Sequence, residues 1–511
     1  MSSLFSDAGN AVFPAPDAQI RTVRPRTEAE LAEVMRAASE AGEPMTLSAA
    51  LTGLTGAAVP RESGVLIDLT GLDTVPDRAG WKRITPFLLI DERDSSRGIV
   101  APGVSLNALN EALDDLDLWY PPHPGELRAS LGGNVSTNAS GPRTFAFGAT
   151  REYVQSLRLV LPEGEPFALR RGELFAAGRR ITLKTPSGRT IETSLPSYTA
   201  PEVKNAAGVF VEPGMDLLDV FIGSEGLLGA FTELGLRFLP RRPIRSEVYL
   251  FTTPAEALAC VDALRPLKAR ADLYPLPEGD GVVSLEFFDG GSLDLVRDDR
   301  RFSAYLAREA GAAVEVEFFA DDAATRVKVV TIAERLGCRG AVPPALSAAF
   351  RYAVPRRVAD LLKERTQPKF GTDFAVPLPA FRELYDLYER IDEEFAATGP
   401  SSSRLPRTAK WGHVGDCHLH CNFLCESEDD QALARALYLK LVRKAVALGG
   451  TVSAEHGVGK KTLADEAGVP RPYLWYQYGD AGLRDIATLK SAFDPKGLLN
   501  AGNMGVGLLP G

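Results

Sequence analysis

The sequence is poor in cysteine and in long apolar runs. Five cysteines in 511 residues is a small and odd number, which argues against a disulfide framework and indicates a reducing compartment. No run of about 18 apolar residues occurs, so we expect no membrane-spanning helix. The first residues lack the basic segment of a secretory signal. We therefore predict a cytoplasmic protein.

Positive charge and the common nucleotide-binding motifs are also scarce. The formal net charge is -10, which argues against nucleic acid as a partner. Residues 53–58, GLTGAA, approach the G-x-G-x-x-G fingerprint only weakly, because the strand–turn–helix unit that this motif requires does not follow. The P-loop motif G-x-x-x-x-G-K-[ST] is missing. A standard fold for nicotinamide dinucleotides or nucleoside triphosphates is therefore disfavoured.

Strand and helix patterns alternate along a chain that is too long for one hydrophobic core, which predicts two or three domains. Residues 27–42 predict a helix with Thr27 as its N-cap and Gly42 just past its end. Residues 182–193 predict a hairpin. A proline-rich junction near residue 240 indicates a domain boundary. The strands and helices beyond it predict the split β-α-β arrangement of a ferredoxin-like half.

Three segments contain more glycine, asparagine and small residues than structural turns need: 51–60, 121–153 and 221–240. Glycine permits positive φ and lets the backbone approach a ligand closely. Successive free N–H groups in such a turn can also cradle a phosphate. Ordinary tight turns would explain any one segment. The three together favour a binding site for a flat, hydrogen-bonding ligand.

Residues 411–425, WGHVGDCHLHCNFLC, hold three of the five histidines. The alternation over residues 417–423 predicts a strand with His418, His420 and Asn422 on one face. The cysteines lie on the opposite face, and their spacing fits no common zinc or iron–sulfur pattern. We interpret them as small buried apolar residues: Cys417, Cys421 and Cys425.

Two of these histidines are candidate metal ligands. His413 lies seven residues before His420, and the glycines between them allow the chain to fold back. Glu455, in the segment SAEHGVGKK, is a candidate third ligand. Two imidazoles and one carboxylate with open positions are typical of a catalytic divalent-metal site. From spacing alone, hydrogen-bonded core histidines are an equal alternative.

In their order along the chain, these segments resemble the FAD-linked oxidases of the vanillyl-alcohol oxidase superfamily, in the branch of D-lactate, glycolate and D-2-hydroxyglutarate dehydrogenases. The motifs are TGLTGAAVP, ASLGGNVSTNASGPR, FIGSEGLLGAFTELGLRFLP, SAEHGVGKKTL and FDPKGLLNAGNM. The resemblance implies an α+β protein in three parts. They are a two-part FAD-binding domain over 15–240, a ferredoxin-like cap (substrate) domain with the metal site over 241–455, and a C-terminal helical segment over 456–511 that returns to the flavin domain.

The resemblance implies that the glycine segments bind FAD. The family usually has R-G-x-G before the first Thr of this loop, whereas this chain has Ser48-Ala49-Ala50-Leu51; we expect FAD to be retained. His123 stands where the family commonly has Asp. We interpret it as a rim or turn residue and not as a covalent flavin attachment site. The expected cofactor-binding residues are Thr52, Gly53, Leu54, Thr55, Gly56, Pro122, Gly132, Gly133, Asn134, Thr137, Asn138, Gly141, Gly223, Glu225, Gly226, Gly229 and Asn500.

The resemblance also implies a divalent metal, with zinc as first choice, at His413, His420 and Glu455. His418 stands where the family has Asn or His, so it is not counted as a ligand. His456 is implied as the general base, because an imidazole titrates near neutral pH. It would remove the substrate hydroxyl proton while C2 passes a hydride to the flavin.

Two cations and an amide match the family's substrate-binding positions. Arg351 in FRYAVPRR can fork onto a carboxylate. Lys369 lies two residues farther upstream of the shared Asp-x-x-x-Pro than in some relatives, and Asn422 is the third candidate. For each of the two cations, a plain surface charge is the alternative.

We therefore predict an FAD-dependent dehydrogenase that oxidises a D-2-hydroxy acid, of the lactate, glycolate or hydroxyglutarate type, to the 2-oxo acid. An electron-relay flavin subunit of a larger complex and a non-redox metal hydrolase are the alternatives. The hydrolase leaves the glycine segments unexplained. No Cys-rich ferredoxin extension is present, so electrons are expected to leave to a quinone, a cytochrome, an iron–sulfur protein or oxygen. A homodimer is compatible with these features.

Overall fold

The structure is a computed structural model that describes residues 15, 17–270, 279–306, 309–364, 369–397 and 406–507. The last four residues of the predicted C-terminal segment, 508–511, lie outside the described residues, as does residue 16 of the predicted first domain. No helix in the described ranges is long and apolar enough to span a membrane.

The N-terminal part contains a three-stranded parallel sheet, ordered β1-β3-β2, and a six-stranded antiparallel sheet, ordered β4-β5-β6-β12-β8-β9. Its elements are β1 (Ile20–Val23), α1 (Glu28–Ala41), β2 (Met45–Ser48), β3 (Gly64–Asp68), β4 (Trp81–Thr85), β5 (Leu88–Asp91), β6 (Arg97–Val100), α2 (Leu106–Asp114), β7 (Leu118–Trp119), α3 (Leu131–Ser136), α4 (Thr144–Phe147), β8 (Val154–Val160), β9 (Pro166–Arg170), β10 (Arg180–Lys184), β11 (Thr190–Ser194), α5 (Leu218–Phe221), β12 (Ala230–Arg237) and β13 (Leu239–Pro240).

Helix α1 forms as its end signals predict. The Thr27 side chain accepts a hydrogen bond from the backbone of Glu30, and Gly42 closes the helix at φ 68°. Its apolar stripe, which includes Leu31 and Met35, is fully buried against the three-stranded sheet. The predicted hairpin is also confirmed, because β10 and β11 pair antiparallel.

The second part is built on a seven-stranded sheet, ordered β17-β14-β16-β15-β19-β20-β18. Strand β16 pairs antiparallel with both β14 and β15, so these two run parallel with β16 between them, which is the predicted split β-α-β arrangement. Its elements are β14 (Ile244–Phe251), α6 (Pro254–Leu264), β15 (Val282–Asp289), α7 (Gly290–Val296), β16 (Ala312–Phe319), α8 (Ala323–Arg335), β17 (Gly340–Val342), α9 (Pro344–Glu364), β18 (Lys369–Gly371), α10 (Phe381–Ala396), β19 (Thr408–Gly412), β20 (His420–Leu424), α11 (Glu428–Ala447), β21 (Thr462–Ala464), β22 (Pro470–Pro472) and α12 (Trp475–Phe493).

The histidine-rich stretch departs from its prediction. A strand was expected from Cys417, but β20 begins only at His420. The reason is the turn Val414–Asp416, which ends in Cys417 at φ 54°, a left-handed conformation that no strand residue adopts. The turn reverses the chain, so that β19 and β20 pair antiparallel with Trp411 opposite His420.

The C-terminal segment returns to the N-terminal part, as predicted. Leu499 forms a parallel bridge with Met45 at the edge of the three-stranded sheet. Asn500 donates its backbone N–H to Met45 at 2.7 Å and accepts from the backbone of Leu47 at 2.8 Å. These bonds bring Asn500 next to the first glycine segment.

Candidate active site

The three glycine segments line one cavity, called here the glycine-lined cavity. Its volume is about 360 Å³, within the range of small-molecule sites. It lies between the loop that follows β2, the start of α3 and the turn before β12. The predicted cofactor residues on its wall are Thr52, Gly53, Leu54, Thr55, Gly56, Gly132, Gly133, Asn134, Thr137, Glu225, Gly226, Gly229 and Asn500.

The loop from Thr52 to Ala57 presents backbone to this cavity. Within the described part of the chain, the N–H groups of these residues donate no hydrogen bond to protein. A Cβ placed on Gly53 would meet no protein atom within 4 Å, so the space in front of the loop is open. Leu51 has φ 55°, which costs a non-glycine residue about 1 kcal/mol. A row of N–H groups facing an open space fits a pyrophosphate.

Glu225 ties the cavity to the C-terminal part of the chain. Its carboxylate accepts hydrogen bonds from the backbone of Val458 at 2.7 Å and of Gly459 at 2.6 Å. Burial raises the pKa of Glu225 to about 7, although these two bonds act against the rise. Asn500 donates from its side-chain amide to the carbonyl of Gly226 at 3.0 Å. The cavity floor is therefore assembled from segments far apart in sequence.

Four predicted cofactor residues do not line this cavity. Asn138 has φ 48°, and its side-chain oxygen accepts from the backbone of Arg151 at 2.9 Å. A Cβ on Gly223 would lie 3.3 Å from Asn138, and one on Gly141 would lie 2.1 Å from the carbonyl of His123. These contacts support the loops from outside the cavity wall. The four are Pro122, Asn138, Gly141 and Gly223.

His413, His420 and Glu455, called here the His–Glu cluster, meet at one point. Glu455 Oε2 lies 3.2 Å from His413 Nε2, and Glu455 Oε1 lies 3.4 Å from His420 Nε2. The three side chains are between 11% and 13% exposed. The three residues proposed from sequence as metal ligands therefore converge.

The far nitrogens of both rings are fixed by hydrogen bonds. His413 Nδ1 lies 2.7 Å from Glu286 Oε1, and His420 Nδ1 lies 2.7 Å from the carbonyl of Thr372. A carbonyl only accepts, so Nδ1 of His420 carries a hydrogen, and Nε2 is the nitrogen that faces Glu455. Metal-bound histidines typically have such outer hydrogen bonds, so these residues fit a divalent cation.

The electric field at the cluster is strong. Burial acts to lower the pKa of His413, but Glu286 and Glu455 outweigh burial and the repulsion from Lys204, and raise it to about 9. Burial acts to raise the pKa of Glu455, but Lys204, His413 and His418 hold it well below its usual range. Lys204 Nζ contacts Glu455 Oε2 at 2.9 Å. Oε2 is thus already paired with a cationic side chain, while Oε1 faces the imidazoles of His420 and His456.

His456 stands between the cluster and the glycine-lined cavity. It lies on the cavity wall, and its ring stacks on His420 with centroids 5.5 Å apart and planes 8° apart. Its Nε2 lies 3.5 Å from Glu455 Oε1. Its Nδ1 lies 3.5 Å from Asp373 Oδ2, which also accepts from Ser453 Oγ at 2.6 Å. Asp373 therefore stands beside Nδ1, while Nε2 faces Glu455.

A second, smaller pocket of about 50 Å³ adjoins the cavity. His456 and Leu54 line both spaces, and Lys369 and Asn422 line only the smaller one. Lys369 Nζ donates to Asn422 Oδ1 at 2.8 Å. A small carboxylate ligand in this pocket would lie beside the ammonium group of Lys369 and the rings of His420 and His456.

Arg351 is already paired with carboxylates. Its Nε contacts Glu315 at 2.8 Å, its Nη1 contacts Glu317 at 3.0 Å, and its Nη2 contacts Ser284 Oγ at 3.3 Å. Burial acts to lower the pKa of Arg351, but the two glutamates raise it. Glu317 also binds Arg143 at 3.0 Å. The charge of Arg351 is therefore balanced within the protein.

The cysteines of the histidine-rich stretch are buried and unpaired by disulfides, as predicted. Cys417, Cys421 and Cys425 are all at most 4% exposed. Burial raises the pKa of each thiol. They behave as small apolar residues of the core.

Two family models match the chain. The model described as FAD binding domain matches residues 20–170, and the model described as FAD linked oxidases, C-terminal domain, matches residues 255–504. The chain belongs to the FAD-linked oxidases. The predicted recognition, the fold class and the assignment as an FAD-dependent oxidoreductase are confirmed.

Curated relatives of this FAD-linked oxidase align along nearly its whole length. A D-lactate dehydrogenase of Anaerostipes hadrus is 27% identical over 483 residues, covering 93% of this chain and 87% of the relative. The glycolate oxidase subunit GlcD of Bacillus subtilis (strain 168) is 26% identical, and the alignment covers 96% of this chain and 89% of the relative. A D-lactate dehydrogenase of Archaeoglobus fulgidus is 25% identical, and the alignment covers 98% of this chain and 94% of the relative.

Solved structures support the fold of the oxidase. p-Cresol methylhydroxylase with substrate bound superposes with a TM-score of 0.64 at 14% identity, covering 98% of this chain and 92% of that one. Alkyldihydroxyacetonephosphate synthase superposes with a TM-score of 0.60 at 15% identity, covering 94% and 75%. At such identities, the likeness shows the fold alone.

Several residues of the oxidase's candidate site had no place in the sequence prediction. Glu286 interrupts the apolar strand β15 and is only 3% exposed, and an acidic residue within such an apolar run is a usable signal in the sequence. Asp373 belongs to the Asp-x-x-x-Pro motif, whose role was not assigned. Lys204 is a single lysine in a coil, and nothing local indicates that it meets Glu455.

Replacing Gly53 with valine should release FAD from the oxidase without unfolding it. The new side chain meets no protein atom near its Cβ and projects from the loop whose N–H groups face the cavity. We expect the purified variant to lose its flavin absorption and to keep the circular dichroism of the wild type.

Gly340→Val is the matched control, because a Cβ there also meets nothing within 4 Å and the residue lies outside the cavity wall. It should retain full flavin. A yellow Gly53→Val protein with the FAD content of the control would mean that the loop does not hold the cofactor.

Proposed function

We propose that this FAD-linked oxidase is a dehydrogenase that oxidises a D-2-hydroxy acid to the 2-oxo acid, with a divalent cation held by the His–Glu cluster. The observation that carries the proposal is the pair of imidazole nitrogens that face Glu455 beside His456, at the wall of the glycine-lined cavity. The relatives named D-lactate dehydrogenase and glycolate oxidase support the substrate class, and the former also support the hand of the substrate.

The cofactors supply two kinds of chemistry when bound: FAD accepts a hydride, and a divalent cation, with zinc as first choice, makes a neighbouring hydroxyl more acidic. The His–Glu cluster would hold the cation through His413 Nε2, His420 Nε2 and Glu455. The loop from Thr52 to Ala57 would hold the pyrophosphate of FAD.

The residues around the small pocket would bind and orient the acid. Lys369 offers a positive charge to the substrate carboxylate, and Asn422 holds the lysine and offers its amide. The predicted contact of Arg351 with a substrate carboxylate requires the substrate to displace Glu315 or Glu317, and it stays a prediction.

His456 would act as the general base. Its Nε2 takes the hydroxyl proton, while Asp373 supports the proton on Nδ1. FAD bound by the glycine-lined cavity would supply the acceptor for the hydrogen on C2 and its electron pair, so that the C–O bond becomes a carbonyl. A separate acceptor, such as a quinone, a cytochrome or an iron–sulfur protein, would then take up the electrons.

The test is a screen of 2-hydroxy acids of both hands with an artificial dye acceptor, before and after treatment with a chelator. We expect dye reduction with D-acids or the achiral glycolate and not with L-acids, loss of the activity after chelation and recovery on addition of a divalent cation. Activity that survives removal of all metal would exclude the cation. A yellow protein that no acid reduces would favour the electron-relay function.

A further inference from the structure

A third histidine, His418, lies against the His–Glu cluster and has one ring nitrogen without a partner. It is 0% exposed, and its Nε2 lies 3.0 Å from Asp373 Oδ1. Its Nδ1 has no hydrogen-bond partner in the described part of the chain. A buried polar atom without a partner costs free energy, so an imidazole in this state needs a ligand.

The geometry points to His418 as a further ligand of the proposed cation, so that three imidazoles and one carboxylate hold it. This inference rests on the proposed function. One ligand atom from each of His413, His418, His420 and Glu455 lies within 4.8 Å of all the others. Atoms about 2.1 Å from a common ion are at most about 4.2 Å apart, so the four are close to the spread that one ion allows.

The ring positions support the same conclusion. The centroid of His418 lies 5.2 Å from that of His413 and 4.5 Å from that of His420, in edge-to-face contact with both. The oxygen of Asp373 stands beside one nitrogen of His418, as Glu286 stands behind His413. A carboxylate on one nitrogen is the usual partner of an imidazole whose other nitrogen binds a metal.

A third imidazole would change which cation the site prefers. Three nitrogen donors favour zinc, cobalt, iron or nickel over magnesium and calcium, which take oxygen ligands. The oxidase should therefore bind zinc tightly and remain inactive with magnesium alone.

The test is zinc K-edge X-ray absorption of the FAD-loaded protein with one zinc ion bound. Imidazole scattering from three histidines is expected. In competition with a chromophoric chelator, His418→Asn should lower zinc affinity by more than about 10-fold and reduce the imidazole count to two. His123→Asn is the control, because His123 is a partly buried histidine outside the four-residue group, and the zinc affinity of this variant should equal that of the wild type.

Two imidazoles in the wild-type spectrum would overturn the inference even if His418→Asn fails to fold. An unchanged zinc affinity in a folded His418→Asn variant would overturn it too, and would leave His418 as a neighbour of Asp373 only. If wild-type protein with FAD binds no divalent cation, the proposed function fails as well. Zinc bound by two imidazoles leaves that function intact.

Discussion

Replacing His456 with asparagine should slow flavin reduction by the substrate about 10²- to 10⁴-fold and leave FAD and the cation bound. The imidazole is the one side chain that borders the glycine-lined cavity, the small pocket and the His–Glu cluster together, in the part of the chain that the structure describes. Asparagine keeps a polar group at this place but cannot accept the hydroxyl proton. Loss of a general base typically costs about 10²- to 10⁴-fold in rate.

The measurement is anaerobic stopped-flow mixing of the FAD-loaded variant with the best D-acid of the dye screen. The rate of flavin bleaching should fall by that factor, while flavin absorption per protein and zinc content stay at wild-type values. Asp373→Asn is a milder variant for comparison, because it weakens the contact with Nδ1 of His456 and keeps the imidazole itself. It should lower the rate less and shift the pH profile of the bleaching rate. Wild-type bleaching in His456→Asn would remove the proposed base.

Replacing Glu455 with glutamine should remove the cation and with it the activity. The substitution preserves shape but deletes the anion that faces His413 and His420. It also leaves Lys204, only 3% exposed, without its carboxylate partner, so a buried positive charge remains at the site. Loss of an outer hydrogen-bond partner typically lowers the affinity of a site for its metal by about 10- to 100-fold. Loss of Glu455, a direct ligand in this account, should lower the cation affinity further.

The check is metal content by mass spectrometry, together with flavin absorption and turnover. Glu455→Gln and His413→Ala should both lose the metal, keep their yellow colour and turn over no faster than chelated wild type. A second variant, Lys204→Met, removes the repelling charge from the cluster and should keep metal. Full turnover in metal-free Glu455→Gln would show that turnover needs neither this carboxylate nor the cation.

Local signals in the sequence predicted local structure well. Thr27 and Gly42 bound α1 because capping depends on groups within one turn. The three glycine segments indicated the cavity because close backbone approach requires small residues. The strand expected from Cys417 was wrong, because alternation of polar and apolar residues does not reveal a left-handed turn residue.

Partners from distant segments could not be predicted in the same way. Arg351 on α9 matched a substrate-binding position, but Glu315 and Glu317 of β16 lie against it, and only the tertiary packing of this helix shows the contact. The contact of Lys204 with Glu455 joins residues 251 positions apart. The two glutamates in the apolar strand β16 were the one local sign that a buried cation lies nearby.

The most direct test of the central claim is an anaerobic titration of the FAD-loaded protein with a D-2-hydroxy acid, with its cation present and after its removal. We predict that the visible flavin band bleaches in the cation-loaded protein and that the 2-oxo acid forms in equal amount. The chelated protein should stay yellow until zinc is returned. Equal bleaching with and without the cation would contradict a metal-assisted oxidation at the His–Glu cluster.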